Sequence, residues 1–287
     1  MCRAVAITST RRKIMPRSFV AFGVFALLGC TAACSSSTGN GSGPVTLDQA
    51  CTDAAAAVCA KVESCSAFAE KIVYGDSTTC KARVKIGCLA SGNAPMTGIT
   101  PAQVVACKDA YGALACGDLF ADNPPPACKP GGGQVADGKA CGDDSQCVSK
   151  FCGGRTGDSM CSVCGPPPGA GAACVNSKCG PGFSCVNNKC AAPAKNGEAC
   201  GGLVANCQSG SSCTDGKCVA AAKLGESCSL DGKVNAGCDS LAGLWCNTKT
   251  MKCTTAKLVA TGTCGLDDAG DITGCTGGGT CKRPDPT

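Results

Sequence analysis

The sequence predicts a small disulfide-rich fold, in which a helical, cysteine-stapled N-terminal domain is followed by tandem β-hairpin cysteine-rich modules. Three observations carry that expectation. Thirty-one of the 287 residues are cysteine and none is histidine. The first half pairs helix-start signals with cysteines at helical spacing, and from Gly138 a G-x-x-C pattern recurs. Cysteine above roughly 8 to 10 % of an exported chain marks a disulfide scaffold. Without histidine there is no imidazole for a Ser-His-Asp triad, a Cys-His pair, the common zinc hydrolase site or a proton shuttle near neutral pH. The expectation is a non-enzyme with no catalytic residues, no metal and no cofactor.

Residues 1–29 have the form of a lipoprotein signal peptide. Arg11, Arg12, Lys13 and Arg17 precede an apolar run from Phe19 to Leu28, too short for the roughly 20 residues of a membrane span. Leu27-Leu28-Gly29-Cys30 resembles the bacterial lipobox, in which the signal is cut before a cysteine that takes a diacylglycerol. Cys30 is the favoured lipidation site, and Thr31-Ala32-Ala33-Cys34 makes Cys34 the alternative. Thr10 to Met15 also resembles a twin-arginine export signal, with Met15 a possible start in its own right. The signal holds five of the 26 basic residues (Arg3, Arg11, Arg12, Lys13 and Arg17), leaving 21 against 21 acidic ones. A mature chain near neutrality offers no electrostatic footprint for nucleic acid or anionic lipid. Residues 30–44, the anchor and a Ser/Gly-rich stretch, read as a flexible tether; ten such residues reach roughly 17 to 19 Å.

The expected helical domain covers 45–128 and holds Cys51, Cys59, Cys65, Cys80, Cys88, Cys107, Cys116 and Cys128. Thr46 followed by Gln49 reads as a capping box opening a helix through about Ala69. Thr100-Pro101-Ala102-Gln103 repeats the device with proline at the first helical position, where its missing N–H is not needed. A shorter helix is expected from Ser77 or Thr78 to Leu89. Cys80 and Cys88, like Cys51 and Cys59, are eight residues apart, so each pair lies near one helical stripe. Bridges between such stripes would supply what a core poor in aromatics lacks.

Pro124 to Pro126 and Gly131 to Gly133 mark a boundary, with 129–137 as linker. The repeats then occupy 138–287, as units of about 138–170, 171–196, 197–224, 225–260 and 261–287. Four open on Gly138, Gly171, Gly197 and Gly225, each three residues before a cysteine, and the fifth, at Gly262, is one residue short. Their cysteines are Cys141, Cys147, Cys152, Cys161 and Cys164; Cys174, Cys179, Cys185 and Cys190; Cys200, Cys207, Cys213 and Cys218; Cys228, Cys238, Cys246 and Cys253; and Cys264, Cys275 and Cys281. From Cys51 onward there are 28, an even number suited to an oxidising compartment.

Cys185-Val-Asn-Asn-Lys-Cys190 and Cys213-Thr-Asp-Gly-Lys-Cys218 centre on dipeptides favoured in two-residue type I′ turns, where both residues need positive φ. The flanking cysteines then face each other across the strand pair. Three connectivities remain open for each four-cysteine unit, with a crossed first-to-third, second-to-fourth pairing preferred. Phe151, Phe183 and Trp245, just before the third cysteines, are expected to cap miniature cores.

On this glycine and cysteine spacing, Gly138 to Cys281 resembles tandem copies of the Dickkopf N-terminal cysteine-rich module and of its EB-type and EGF-like relatives. That resemblance implies extracellular recognition or spacer units without catalysis. The whole layout is similar to cysteine-rich bacterial lipoproteins.

Other motifs give way to structural readings. Cys161-Ser-Val-Cys164 is a C-x-x-C, yet it lacks the second pair of a zinc ribbon and the βαβ setting of a redox pair. Gly131 to Gly133 and Gly277 to Gly279 lack the setting of a phosphate cradle. Asp267, Asp268 and Asp271 could gather around calcium but miss the EF-hand spacing, so a solvated turn is expected. Arg155-Thr-Gly-Asp158 interposes a threonine in an adhesion tripeptide and is discounted.

The expected protein is thus a lipid-anchored component of the cell envelope, an elongated binding or spacer element, with a secreted adhesin or inhibitor as the alternative and a thiol-redox enzyme as the more distant one. Thr31 after Cys30, where an aspartate would signal inner-membrane retention, favours the outer membrane. Expected partners are the membrane, through lipid, and an envelope or extracellular protein or polysaccharide, with no nucleic acid.

Overall fold

A computed structural model of the chain describes residues 44–129, 131–155, 162–201, 206–231, 237–262 and 264–277. Helices make up the first part and short strands the second. No helix among the described residues is long and apolar enough to cross a membrane.

Helix α1 (Leu47–Cys65) starts at Thr46, whose hydroxyl accepts from the Gln49 amide at 3.2 Å. The return half of the expected box is missing, because the Gln49 side chain donates forward to Asp53 at 2.9 Å. The helix also stops short of Ala69. Ser66 turns extended, with φ −163° and ψ 94°, and its hydroxyl accepts from Ala69 N to cap α2 (Ala67–Tyr74). A serine hydroxyl competes with the backbone for such donors, which favours a helix start over a helix interior. Helix α3 (Ser77–Gly92) is capped by Asp76, and α4 (Pro101–Tyr111) carries the full reciprocal box of Thr100 and Gln103. A short α5 (Cys116–Phe120) follows.

Cys51 bonds Cys88 and Cys59 bonds Cys80, so the two eight-residue spacings form two rungs between antiparallel α1 and α3. Cys65–Cys116 and Cys107–Cys128 tie in α5 and the end of the domain. Small residues let the helices approach: Ala50 and Ala54 pack with Val104 and Cys107 in one cluster, and Ala55, Val62 and Val84 with Tyr74 and Leu119 in the next.

The second part is built of small sheets. β1 (Ala140–Cys141), β2 (Cys152–Arg155) and β3 (Ser162–Cys164) form one, in the order β1-β3-β2. Three antiparallel pairs follow: β4 (Ser184–Val186) with β5 (Lys189–Ala191), β6 (Ser211–Thr214) with β7 (Lys217–Ala220), and β8 (Leu244–Cys246) with β9 (Cys253–Thr255). In these pairs Cys185 faces Cys190, Cys213 faces Cys218 and Cys246 faces Cys253. The turns that join the strands of the first two pairs have positive φ throughout, 50° and 60° at Asn187 and Asn188, 46° and 72° at Asp215 and Gly216.

The bridges cross. Cys141 pairs with Cys152 and Cys147 with Cys164; Cys174 with Cys185 and Cys179 with Cys190; Cys200 with Cys213 and Cys207 with Cys218; Cys228 with Cys246 and Cys238 with Cys253. One backbone contact recurs beside each crossing: the amides of Gly138, Gly171, Gly197 and Gly225 donate to the carbonyls of Cys164, Cys190, Cys218 and Cys253 at 2.7 to 2.8 Å. These four glycines have φ between +76° and +88°, a conformation that a side chain would oppose.

The last segment departs from an antiparallel pair. β12 (Ile272–Cys275) lies antiparallel to β11 (Gly265–Leu266) but parallel to β10 (Lys257–Val259), which belongs to the preceding segment. Cys264 and Cys275 are each disulfide-bonded, and their sulfurs lie 2.6 Å apart.

The segments do not extend away from the helices. At the near end, Gln146 Nε2 donates to Pro95 O and the Ser91 hydroxyl to Asp143, both at 2.8 Å. Gly133 rests on the same segment so closely that a Cβ there would fall 2.1 Å from the Gln146 carbonyl oxygen. At the far end the chain returns to α2: the Ser66 hydroxyl donates to Leu241 O, and Gly277 N donates to Lys71 O at 2.9 Å.

Candidate functional site

Cysteine is the first place to look for chemistry. In each of four segments three sulfurs lie within 4.8 Å of one another: Cys141, Cys147 and Cys152; Cys174, Cys179 and Cys190; Cys200, Cys207 and Cys218; Cys228, Cys238 and Cys253. Each group arises where two bridges cross, and every described cysteine is disulfide-bonded. A metal ligand or nucleophile must be a thiolate, so the oxidised groups offer neither. Of the C-x-x-C, Cys164 is bonded to Cys147, and Cys161 lies outside the described residues. The lipidation candidates Cys30 and Cys34 lie outside them too, as do Cys281 and the Thr156-Gly157-Asp158 stretch.

The most elaborate polar arrangement joins the last two segments. Trp245 stands directly across from Thr254 in the β8–β9 pair, so both side chains project from one face. Asn247 follows Trp245 by two residues and therefore shares that face; its amide N–H donates to Lys252 O, continuing the ladder. Asp271 is fastened to the same face, accepting from Asn247 Nδ2 at 2.7 Å and from the Thr254 hydroxyl at 3.3 Å. Lys257 Nζ lies 3.5 Å from Asp271 and 3.3 Å from Asp267.

These contacts set the charges. The Asn247 amide above all, with the Thr254 hydroxyl and the Lys257 ammonium, holds the Asp271 carboxyl below the usual carboxylate range. Asp267 is held low chiefly by the Asp271 backbone N–H, and then by Lys257. The lysine is raised in turn, first by its hydrogen bond to Asp267. Asp267 Oδ1 also accepts from Ala269 N and Asp271 N, which is an Asx-type turn. The candidate calcium ligands therefore do not converge as a set: Asp267 closes a turn, Asp271 reaches across to β8–β9, and the chain's own ammonium lies between them. Gly270 sits beneath this network, where a Cβ would approach Asn247 Oδ1 and Thr248 Oγ1 to 2.9 Å.

Trp245 corrects an expectation. It does not cap a miniature core; it is 38 % exposed, because its neighbour Cys246 takes the buried side of the strand and alternation turns the indole outward. Phe151 is buried as expected, and Phe183 partly so. Sequence reading did not single out Asn247, Thr254 or Lys257. Alternation about Trp245 was the available signal for the first of these, whereas Lys257 is placed by the pairing of β10 with β12.

Two further features lie in the helical part. Glu70 is buried, and its Oε1 has no hydrogen-bond partner. Burial, followed by the nearby charges of Glu63 and Asp76, raises its pKa. A shallow groove beside the end of α4 is lined by Ala110, Ala113, Leu114 and Pro124 to Pro126.

Comparison with known proteins finds no match. No family model, curated protein or solved structure is significantly similar to the chain.

Proposed function

We propose that the chain is a non-enzymatic, lipid-anchored cell-envelope protein, in which tandem β-hairpin modules of the Dickkopf or EGF-like kind form a binding element carried by a helical domain. The observation that carries this reading is the crossed pair of bridges that recurs in four successive segments, with every described cysteine oxidised. Sulfur held in this way is structural, and units of this size need their bridges to fold. The contacts of Ser66 and Lys71 with Leu241 and Gly277 favour binding over spacing, since a spacer that returns to its base loses reach. Membrane anchorage rests on the sequence around Cys30 and Cys34, and placement in the outer membrane on Thr31.

Counting thiols in the native protein with and without reductant tests the structural role of sulfur. Two or more reactive native thiols beyond Cys34 would overturn it in favour of thiol chemistry. Mass spectrometry of the mature amino terminus tests the anchor: a diacylglyceryl group at Cys30 or Cys34 supports it, whereas an unmodified terminus favours a secreted adhesin or inhibitor.

A further inference from the structure

We infer that the exposed face of the β8–β9 pair around Trp245 is a carbohydrate-binding surface, taking a pyranose ring against the indole. The inference rests on the binding reading above and names its ligand class.

Trp245 is the single tryptophan of the chain, and it is spent on an exposed strand position while its neighbour Cys246 is 4 % exposed. Nothing in the strand pattern requires an aromatic there, since the core side is already filled by Cys228, Cys246 and Cys253. Groups that recognise hydroxyls border the ring on the same face. Thr254 lies directly opposite, Asp271 is fixed beside it by Thr254 and Asn247, and Lys252 occupies the exposed position across from Asn247. Because Asn247 and Thr254 donate to Asp271 and Lys257 pairs with it, the carboxylate is held in position before any ligand arrives. Such preorganisation lowers the cost of binding.

The chemistry of the face selects among occupants. An apolar protein partner that covered the indole would also desolvate Lys252, Asp271 and Lys257, and burying such charges without new partners is unfavourable. A nucleic acid would meet the carboxylate of Asp271 and, beyond Lys257, that of Asp267, which oppose phosphate. A sugar suits both halves. One face of a pyranose is a patch of C–H groups that packs on the electron-rich indole face, and its equatorial hydroxyls both donate and accept, so they can meet a carboxylate, a threonine hydroxyl and an ammonium without net charge.

The single tryptophan makes the test direct. The full oxidised chain would be titrated with chitohexaose and with cellohexaose, following indole emission and, in parallel, heat of binding. The expected result is a saturable change in emission with at least one of the two oligosaccharides. Trp245→Ala should weaken the calorimetric affinity by about tenfold or more, the scale of one lost stacking contact, and Trp245→Phe should keep part of it. Asp271→Asn should weaken binding while the bridges remain intact by non-reducing peptide mapping. No saturable change with either sugar would overturn the inference, as would a Trp245→Ala chain that binds like the parent, or an emission change produced only by an apolar dye. The thiol count and the terminal lipid are independent of these readouts, so failure here leaves the broader reading standing.

Discussion

Gly243 lies under the ring of Phe68, where an added Cβ would fall 2.6 Å from Cδ2. This glycine, in a left-handed conformation with φ 74°, lets the fourth segment close against α2. Gly243→Ala should lower stability by about 1 to 3 kcal/mol, the scale of a strained left-handed residue, and the displaced aromatic should loosen the far attachment. Denaturation without reductant reads the first effect. Solution scattering reads the second, as a larger radius of gyration in a chain whose bridges remain complete.

The two rungs between α1 and α3 close loops of different length, with sequence separations of 37 for Cys51–Cys88 and 21 for Cys59–Cys80. Replacing both cysteines of either bridge by alanine should cost about 2 to 4 kcal/mol. On chain entropy alone, loss of the longer loop should cost about 0.5 kcal/mol more. Paired urea titrations of the two double variants check the order, which native-state packing around Val62 or Val104 would reverse if it dominated.

Glu70 is buried with one oxygen unpartnered and its pKa raised. A carboxyl raised in the folded state destabilises the fold once the pH exceeds its folded pKa, and this penalty disappears below its unfolded value. Glu70→Gln should therefore be more stable than the parent at neutral pH. The difference should shrink on acidification and vanish once both chains are neutral at this position. Thermal melts across the acid range measure it, and a constant difference at every pH would point to packing instead.

Asp267 and Asp271 have the opposite sign. Their pKa values are lowered in the fold, so their stabilising contacts are fully present above the ordinary carboxylate range and are lost as the pH falls through their folded values. Asp271→Asn should lose the Asp271 share of this acid-side dependence and release β8–β9 from the last segment. Hydrogen exchange at Thr248, whose amide donates to Gly270 O at 3.1 Å, should quicken in the variant at neutral pH.

Thr100 offers a local test. Its hydroxyl accepts from Gln103 N while Gln103 returns to the Thr100 amide at 2.6 Å. Thr100→Ala should cost about 1 kcal/mol. Thr46→Ala, which removes only half of a box, should cost less, and melts of the two single variants compare them.

Most of what is legible in the sequence is local. Helix starts at Thr46 and Thr100, the stripes of Cys51 and Cys59 or Cys80 and Cys88, and the positive φ of Asn187-Asn188 and Asp215-Gly216 depend on residues only a few positions apart. Preference for oxidised sulfur likewise followed from the cysteine count and the absence of histidine. The break at Ser66 is not legible in this way because its reason is partly remote: its hydroxyl both caps α2 and reaches Leu241, 175 residues away.

The sequence by itself therefore determined a cysteine-stapled helical part, small antiparallel sheets and a disulfide-rich chain. Tertiary structure alone decided that the segments return to α2, that Lys257 lies between Asp267 and Asp271, and that Asp271 is fastened to the face that Trp245 and Thr254 share. The physical reason is range. Caps, stripes and turns are set by backbone geometry within one or two turns of chain, whereas these placements depend on which distant segments pack together. An exposed indole reads in sequence like a buried one until Cys246 is seen to occupy the inner face.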